Sequence, residues 1–272
     1  TGLRNNLFGA GTGDELLTGT DNTAFGGFAL STDTEGNRSV AIGTSALNSQ
    51  NLSSSTNVLN VAVGYSAGSS ITTGTDNTIV GGIAGDALTD ADFNTVLGTA
   101  ALTTDTKGSR TVAIGYGALQ TQNFTSATNS NNTAVGFSSG AATTTGVNNS
   151  FFGNQSGNAN TTGNSNISVG YNALKDNTTG SNNIAIGEEA LKNYNHTDGT
   201  NAYNIAIGTE AGHDITTGVQ NTLIGALSGD ALTVGGTNTA VGYLSLSTDT
   251  QGSRNTAIGN QALQTQNFSS AT

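Results

Sequence analysis

Apolar and polar positions recur around a glycine along the whole chain. The recurring string is Asn-x-x-apolar-Gly, followed by a turn rich in Thr, Asn, Asp and Gly. The glycines stand at positions 9, 26, 43, 64, 81, 98, 115, 136, 153, 170, 187, 208, 225, 242 and 259. They define a 17-residue repeat in which every fourth copy is a longer, 21-residue one, so that a 72-residue superrepeat results.

The apolar run in each repeat predicts a short β-strand. A helix would need apolar residues at i, i+3, i+4 and i+7, whereas each repeat offers a short β-branched run such as NTAVG or NIAIG. One such unit cannot bury its own apolar edge, and stacking of successive units makes a continuous core. The pattern therefore predicts an all-β chain, a parallel β-solenoid (β-roll) that forms one coil per repeat, with 17-residue coils and a 21-residue coil at every fourth position.

The number of repeats predicts a rod. Fifteen coils spaced about 4.8 Å apart would span roughly 70 Å. We expect residues 1–272 to form a single continuous solenoid segment of a longer fibre. Because a 17-residue coil has a thin interior, we also expect several chains to share one core.

Three columns of the repeat predict how the coils stack. The residue four before the glycine is Asn in 13 of 15 repeats, which favours a ladder of side-chain amides between coils. The residue four after the glycine is Leu or Gly, so neighbouring coils carry complementary large and small residues. The residue directly before the glycine is large and apolar, and we expect it to form a structural core column: Ile42, Val63, Val80, Leu97, Ile114, Val135, Phe152, Val169, Ile186, Ile207, Ile224, Val241 and Ile258.

Composition narrows the function classes. The chain has no Cys, which excludes disulfides and thiolate metal sites, and only two histidines, neither in a catalytic or metal-binding pattern. Seven basic residues against a net charge of −11 give no footprint for nucleic acid or for an anionic membrane surface. No apolar run is long enough to span a bilayer. We therefore expect no enzyme activity, no metal, no cofactor and no membrane insertion in this segment.

The four long coils each carry an Asn-x-Ser/Thr triplet, the acceptor pattern for N-glycosylation. The triplets lie where the four extra residues must bulge outward, although one ancestral triplet copied with the superrepeat would also give four copies. The candidate glycosylation sites are Asn51, Asn123, Asn195 and Asn267.

Two further columns support an alternative function, a monomeric β-solenoid that binds ice or carbohydrate directly. A threonine column stands eight residues after the glycine, and flat threonine arrays on solenoids can bind ice. Its members are Thr34, Thr72, Thr89, Thr106, Thr144, Thr161, Thr178, Thr216, Thr233 and Thr250. Aromatic residues that could stack on sugars directly follow the glycine, at Tyr65, Tyr116, Phe137, Tyr171 and Tyr243.

Aspartates recur once per superrepeat. Calcium-binding β-rolls use a nine-residue repeat, which a 17-residue coil does not fit. We expect turn hydrogen bonds, or local ion pairs with the arginines five residues further on, rather than calcium ligation. The aspartate and arginine sets are Asp33, Asp105 and Asp249 with Arg38, Arg110 and Arg254.

Several strings resemble the head repeats of trimeric autotransporter adhesins. They are SVAIG at 39–43, TVAIG at 111–115, NIAIG at 183–187 and 204–208, and NTAIG at 255–259. The longer phrase NTTGSNNIAIGEEAL at 177–191 is similar to repeats in phage tail fibres. The resemblance covers essentially the whole chain, but the repeat here is longer than the usual head repeat, and no stalk or anchor is recognisable.

The resemblance implies a left-handed β-roll, three chains packed side by side, and binding to a host or surface receptor, with carbohydrate among the candidate ligands. We therefore expect a structural or adhesive fibre segment, a homotrimer or longer fibre located outside the cell, on a cell surface or on a virion. Its role would be mechanical, as a stiff rod that mediates or spaces attachment to a surface or host.

Overall fold

The computed structural model describes residues 2–199, 201–268 and 270. Throughout this described part the regular structure is β, with no helix. The chain divides into two compact units, Thr1–Asn132 and Thr133–Thr272. The continuity of the segment over residues 1–272 stays a prediction.

The first unit is a stack of parallel strands, one per coil. Alignment of Ala24 with Ala41, and of Ala41 with Ala62, shows that neighbouring strands are one repeat apart. The strands described in this stack are β1 (Asn6–Phe8), β2 (Thr23–Phe25), β4 (Val40–Ile42), β6 (Val61–Val63), β7 (Thr78–Val80), β8 (Thr95–Leu97) and β10 (Val112–Ile114). The long coils add two short parallel pairs, β3 (Gly36–Asn37) with β5 (Thr56–Asn57) and β9 (Gly108–Ser109) with β11 (Thr128–Asn129).

The second unit repeats the same design. Its strands also pair in parallel, and an isolated bridge from Ser181 to Asn201 takes the place of the short side pair. The described strands are β12 (Thr133–Val135), β13 (Ser150–Phe152), β14 (Ile167–Val169), β15 (Ile184–Ile186), β16 (Ile205–Ile207), β17 (Thr222–Ile224), β18 (Thr239–Val241) and β19 (Thr256–Ile258). The predicted fold, a parallel β-solenoid with one coil per repeat, is confirmed for the described residues.

The repeating glycine stands at a corner where the backbones of adjacent coils touch. Gly64 has φ 137°, and a Cβ there would lie 2.5 Å from the carbonyl oxygen of Gly81 in the next coil. Gly81 stands in the same relation to Gly98, with φ 141° and 2.6 Å. No side chain fits this contact, and an L-residue rarely adopts this φ. The corner therefore explains why the glycine never varies from coil to coil.

The asparagine column forms the expected ladder inside each unit. The backbone N–H of Asn77 donates to Asn60 Oδ1 at 2.9 Å, and Asn77 Nδ2 donates to the carbonyl of Ala91 at 2.8 Å. Asn94 bonds to Asn77 and to Gly108 in the same way. Each amide thus satisfies a buried donor and a buried carbonyl of neighbouring coils.

Large and small residues compensate for each other within a coil. Gly85 lies against Ile79 and Leu88, and a Cβ there would come within 3.0 Å of Leu88. The next coil instead places Leu102 at the glycine's position, fully buried, and a polar residue, Asp105, at the position of Leu88. The thin interior therefore has room for one large apolar side chain on that side, which explains the Leu/Gly alternation.

The predicted structural core column is wrong. The buried residue of each strand is the middle one, and the apolar residue before the glycine points out of the coil. In β17, Leu223 is 0% exposed, whereas Ile224 is 37% exposed. Since side chains alternate between the two faces of a strand, only one of two neighbouring apolar positions can face inward. None of the predicted column is buried in the described chain: Ile42, Val63, Val80, Leu97, Ile114, Val135, Phe152, Val169, Ile186, Ile207, Ile224, Val241 and Ile258.

Candidate functional site

The outward-facing apolar residues recur at the same position of every coil in each unit. We call them the outer apolar column. It consists of Phe8, Phe25 and the thirteen residues that were predicted to form the core column and instead face outward. Leu97 is 47% exposed, Phe152 41% and Ile207 36%. In parallel strands these side chains stack directly above one another, so each unit carries an uninterrupted apolar stripe. The Phe8 and Phe25 rings stack within it, with ring centroids 4.8 Å apart.

The first residue of each strand widens the stripe. This position also faces outward and is often β-branched and apolar, as at Val40, Ile167 and Ile205. None of the strands that carry the outer apolar column contains a charged residue. A chain with a net charge of −11 therefore keeps this face neutral. Contiguous apolar surface of this kind marks interaction sites on soluble proteins.

The four sequon asparagines also have a structural role, because they stand in the position of the threonine column in the long coils. In ordinary coils the column threonine donates to a backbone carbonyl of the next coil, as Thr89 does to Thr106 at 2.9 Å. Where the next coil is long, Asn Oδ1 joins the acceptors, at 3.0 Å for Thr34 with Asn51. The same bond joins Thr106 to Asn123, Thr178 to Asn195 and Thr250 to Asn267. Each asparagine therefore continues the threonine column.

The sequon side chains also differ in exposure. Asn51, Asn123 and Asn267 are exposed, whereas Asn195 is half-buried. The residue after Asn51 and Asn123 turns inward, since Leu52 and Phe124 are 7% and 6% exposed. The insertion therefore bulges outward only after its first buried side chain. For Asn267, the third residue of the triplet, Ser269, lies outside the described residues. Glycosylation of the four sites stays a prediction.

The threonine column is less free than a binding face requires. Thr144 Oγ1 donates to the carbonyl of Thr161 at 3.1 Å, and Thr233 Oγ1 donates to Thr250 at 2.8 Å. These bonds orient the hydroxyl hydrogens along the stack instead of toward an external partner. The aromatic residues after the glycine are exposed, at 64% for Tyr65 and 52% for Tyr243. Most coils place other residues at that position, so the rings do not form a continuous column.

The recurring buried aspartate anchors the long insertion. Asp105 Oδ1 accepts from the backbone N–H groups of Gly108 and Phe124, both at 3.0 Å. Its Oδ2 accepts from Gln122 Nε2 at 2.6 Å. Asp33 and Asp249 accept the equivalent bonds in their superrepeats. This confirms turn hydrogen bonding.

The alternative role of these aspartates as ion-pair partners is not seen. In the described part of the chain no ion pair joins them to Arg38, Arg110 or Arg254. Sequence reasoning missed the glutamine partner, although the Asp and Gln recur together in three of the superrepeats and could have been found by comparing them.

A charged cluster occupies one corner of the second unit. Glu189 Oε1 pairs with Lys192 Nζ at 2.9 Å, and the hydrogen bond from Lys192 lowers the pKa of Glu189. His213 lies between Glu189 and Asp214, at 3.3 Å from one carboxylate and 2.7 Å from the other. Burial raises the pKa of Asp230. The described residues contain no group of three or more ligating side chains that could hold a metal ion.

Across the described ranges, no helix is long and apolar enough to cross a bilayer. Compared with known proteins, the chain matches no family model, no curated protein and no solved structure.

Proposed function

We propose that this chain is a structural segment of an extracellular attachment fibre, whose copies pack side by side through the outer apolar column into a homotrimer. The observation that carries the proposal is a column of large apolar side chains on consecutive coils, each at least partly exposed. Leaving such a stripe in water is unfavourable by roughly 25 cal/mol for each Å² that a partner would cover. The stripe therefore favours a permanent partner of the same length.

A second copy of the chain fits this requirement. Its stripe has the same spacing between coils, so two parallel copies can bring apolar side chains together along a whole unit. Three copies around an axis parallel to the stack would bring three stripes together. The number three, the extracellular or virion location and the host or surface receptor come from the resemblance to trimeric adhesins and tail fibres.

The alternative, a monomeric solenoid that binds ice or carbohydrate through its threonine or aromatic face, has weaker support. Its threonine hydroxyls already donate to backbone carbonyls, as Thr216 does to Thr233 at 3.2 Å. Four extra residues in every fourth coil also interrupt that column. A thermal hysteresis measurement on the purified chain tests the ice-binding alternative separately.

The mass of the purified chain in solution tests the fibre proposal. We expect the mass of three chains for the unaltered protein, and one chain for a variant in which Val169, Ile207 and Ile224 are all changed to Ser. A matched control changes three exposed apolar residues outside the outer apolar column to Ser, namely Leu59, Phe93 and Tyr203, which are 47%, 56% and 54% exposed. The control should keep the mass of three chains. A monomeric unaltered protein would refute the proposal.

A further inference from the structure

A shallow groove crosses the side of the second unit, away from the outer apolar column. Its volume is about 380 Å³. Two valines form its apolar part, and hydroxyl groups and one guanidinium provide the polar part. The residues that line it are Thr217, Val219, Val234, Gly236, Thr237, Ser253 and Arg254.

One position in the lining of the groove lacks a side chain. Gly236 replaces the larger residues that the same position carries one and two superrepeats earlier, Asn164 and Asp92. Its backbone N–H donates to Ser253 Oγ at 3.1 Å. That bond fixes the serine oxygen and leaves the serine hydroxyl hydrogen free to bond to a ligand.

The replacements also remove negative charge from the surroundings of Arg254. The equivalent arginine two superrepeats earlier is Arg110, and the residues equivalent to Gly236 and Val234 there are Asp92 and Asp90. Asp90 is paired with Lys107 at 3.4 Å. In the groove, no carboxylate of the described residues lies within ion-pair distance of Arg254.

Arg254 is exposed, and it is one of only seven basic residues in a chain with 18 acidic ones. A guanidinium presents planar donors that suit a carboxylate, and such charge-assisted hydrogen bonds are stronger than neutral ones. Beside it, Val219 and Val234 offer an apolar surface, and Val234 is 45% exposed. Hydroxyls of Thr217, Thr237 and Ser253 complete the lining.

We propose that this groove binds an acidic sugar unit, with the sugar carboxylate on Arg254, its C–H face on the two valines and its hydroxyls on the threonine and serine hydroxyls. An acidic sugar on a host or surface would be a ligand for the proposed attachment fibre. This biological role rests on the proposed function, whereas binding of the sugar to the groove does not. The groove lies within one chain, so binding can be measured whatever the mass of the assembly.

The test is an NMR titration of the full chain with glucuronate, glucose and acetate, observing the Arg254 Nε–Hε signal. We expect glucuronate to shift this signal saturably, and glucose and acetate each to bind at least about tenfold more weakly, the ratio that about 1.4 kcal/mol of lost contact gives. Equal binding of acetate would mean recognition of any carboxylate, and equal binding of glucose would mean no role for the charge. Either result overturns the proposal, as does the absence of any glucuronate binding.

Three variants locate the site. Arg254→Gln removes the guanidinium, and Val234→Asp restores the carboxylate found at the equivalent Asp90. Both should weaken glucuronate binding at least about tenfold, followed through perturbed signals of the groove residues other than Arg254. Arg110→Gln, at the equivalent position of the first unit, should leave the affinity unchanged. Unchanged affinity in both groove variants, or loss of binding in Arg110→Gln, would refute the assignment; circular dichroism checks that each variant is folded.

Discussion

A single buried carboxylate illustrates how this chain uses polar residues in its interior. Asp105 is fully buried and accepts three hydrogen bonds, one from Gly108 in its own turn and two from the adjacent long coil. Asp105→Ala would leave two backbone N–H groups and one amide without an acceptor. We expect a loss of about 3 kcal/mol in unfolding free energy, since each unsatisfied buried group costs about 1–3 kcal/mol. Urea denaturation followed by circular dichroism measures it.

The matched control is an exposed aspartate one coil earlier. Asp90 makes a surface pair with Lys107 at 3.4 Å. Asp90→Ala should change the unfolding free energy by less than about 1 kcal/mol, as is usual for exposed pairs. Equal effects of the two substitutions would show that the buried network does not anchor the insertion.

The charge of Asp230, unlike that of Asp105, is expected to destabilise the fold. Burial, with smaller contributions from Asp214 and Glu210, raises its pKa above the ordinary 3.8. The folded state therefore binds the proton more tightly than the unfolded state, and the stability gained by protonation is lost as pH rises through the folded pKa. We expect Asp230→Asn to raise the Tm at pH 7 and to have little effect below pH 3.8. A lower Tm at pH 7 would contradict the assignment.

A strand of this solenoid places neighbouring apolar residues in opposite environments. In β8, Val96 is 0% exposed and Leu97 is 47% exposed. Val96→Asp would bury an unpaired charge, and we expect it to lower the unfolding free energy by about 3 kcal/mol or more. Leu97→Asp should leave the coil folded and weaken association between copies. Denaturation followed by circular dichroism measures the first effect and static light scattering the second; destabilisation by Leu97→Asp alone would reverse the inward and outward assignment.

The sequence predicted the coil period and the amide ladder but not which apolar column faces inward. A ladder needs the same residue in nearly every coil, so the asparagine column is visible in the sequence. The buried residue of each strand varies in size, from alanine at Ala41 to phenylalanine at Phe151, because it shares the interior with other side chains of the coil. The outward column is uniformly large and was therefore mistaken for core. Alternation in a short strand such as β8 does not distinguish the two faces.

Other features were not predictable from local sequence preference. Leu30 and Leu102 adopt φ 51°, a left-handed conformation that favours glycine, and both are fully buried. Burial in the stack overrides the local preference there. The groove at Gly236 arises from differences between superrepeats, so a search for what the repeats share passes over it.

At the scale of the whole chain, a neutral stripe is combined with a strong net charge, and this combination sets how copies should respond to salt. Each copy carries −11, so copies repel one another while the stripe attracts. Added salt shortens the range of the repulsion, with a Debye length of about 30 Å at 0.01 M and about 3 Å at 1 M, and leaves apolar contact intact. The proposed assembly should therefore strengthen as salt rises.

We expect the protein concentration at half-assembly to fall several-fold between about 0.02 M and about 0.5 M NaCl, measured by light scattering over a dilution series. The variant with Val169, Ile207 and Ile224 changed to Ser keeps the same net charge and serves as the control, which should stay monomeric at both salt concentrations. An assembly that weakens with salt would indicate an interface held by ion pairs, such as the Glu189–Lys192 corner. That outcome would move the contact between copies away from the outer apolar column, because the strands carrying this column have no charged residue for salt to screen.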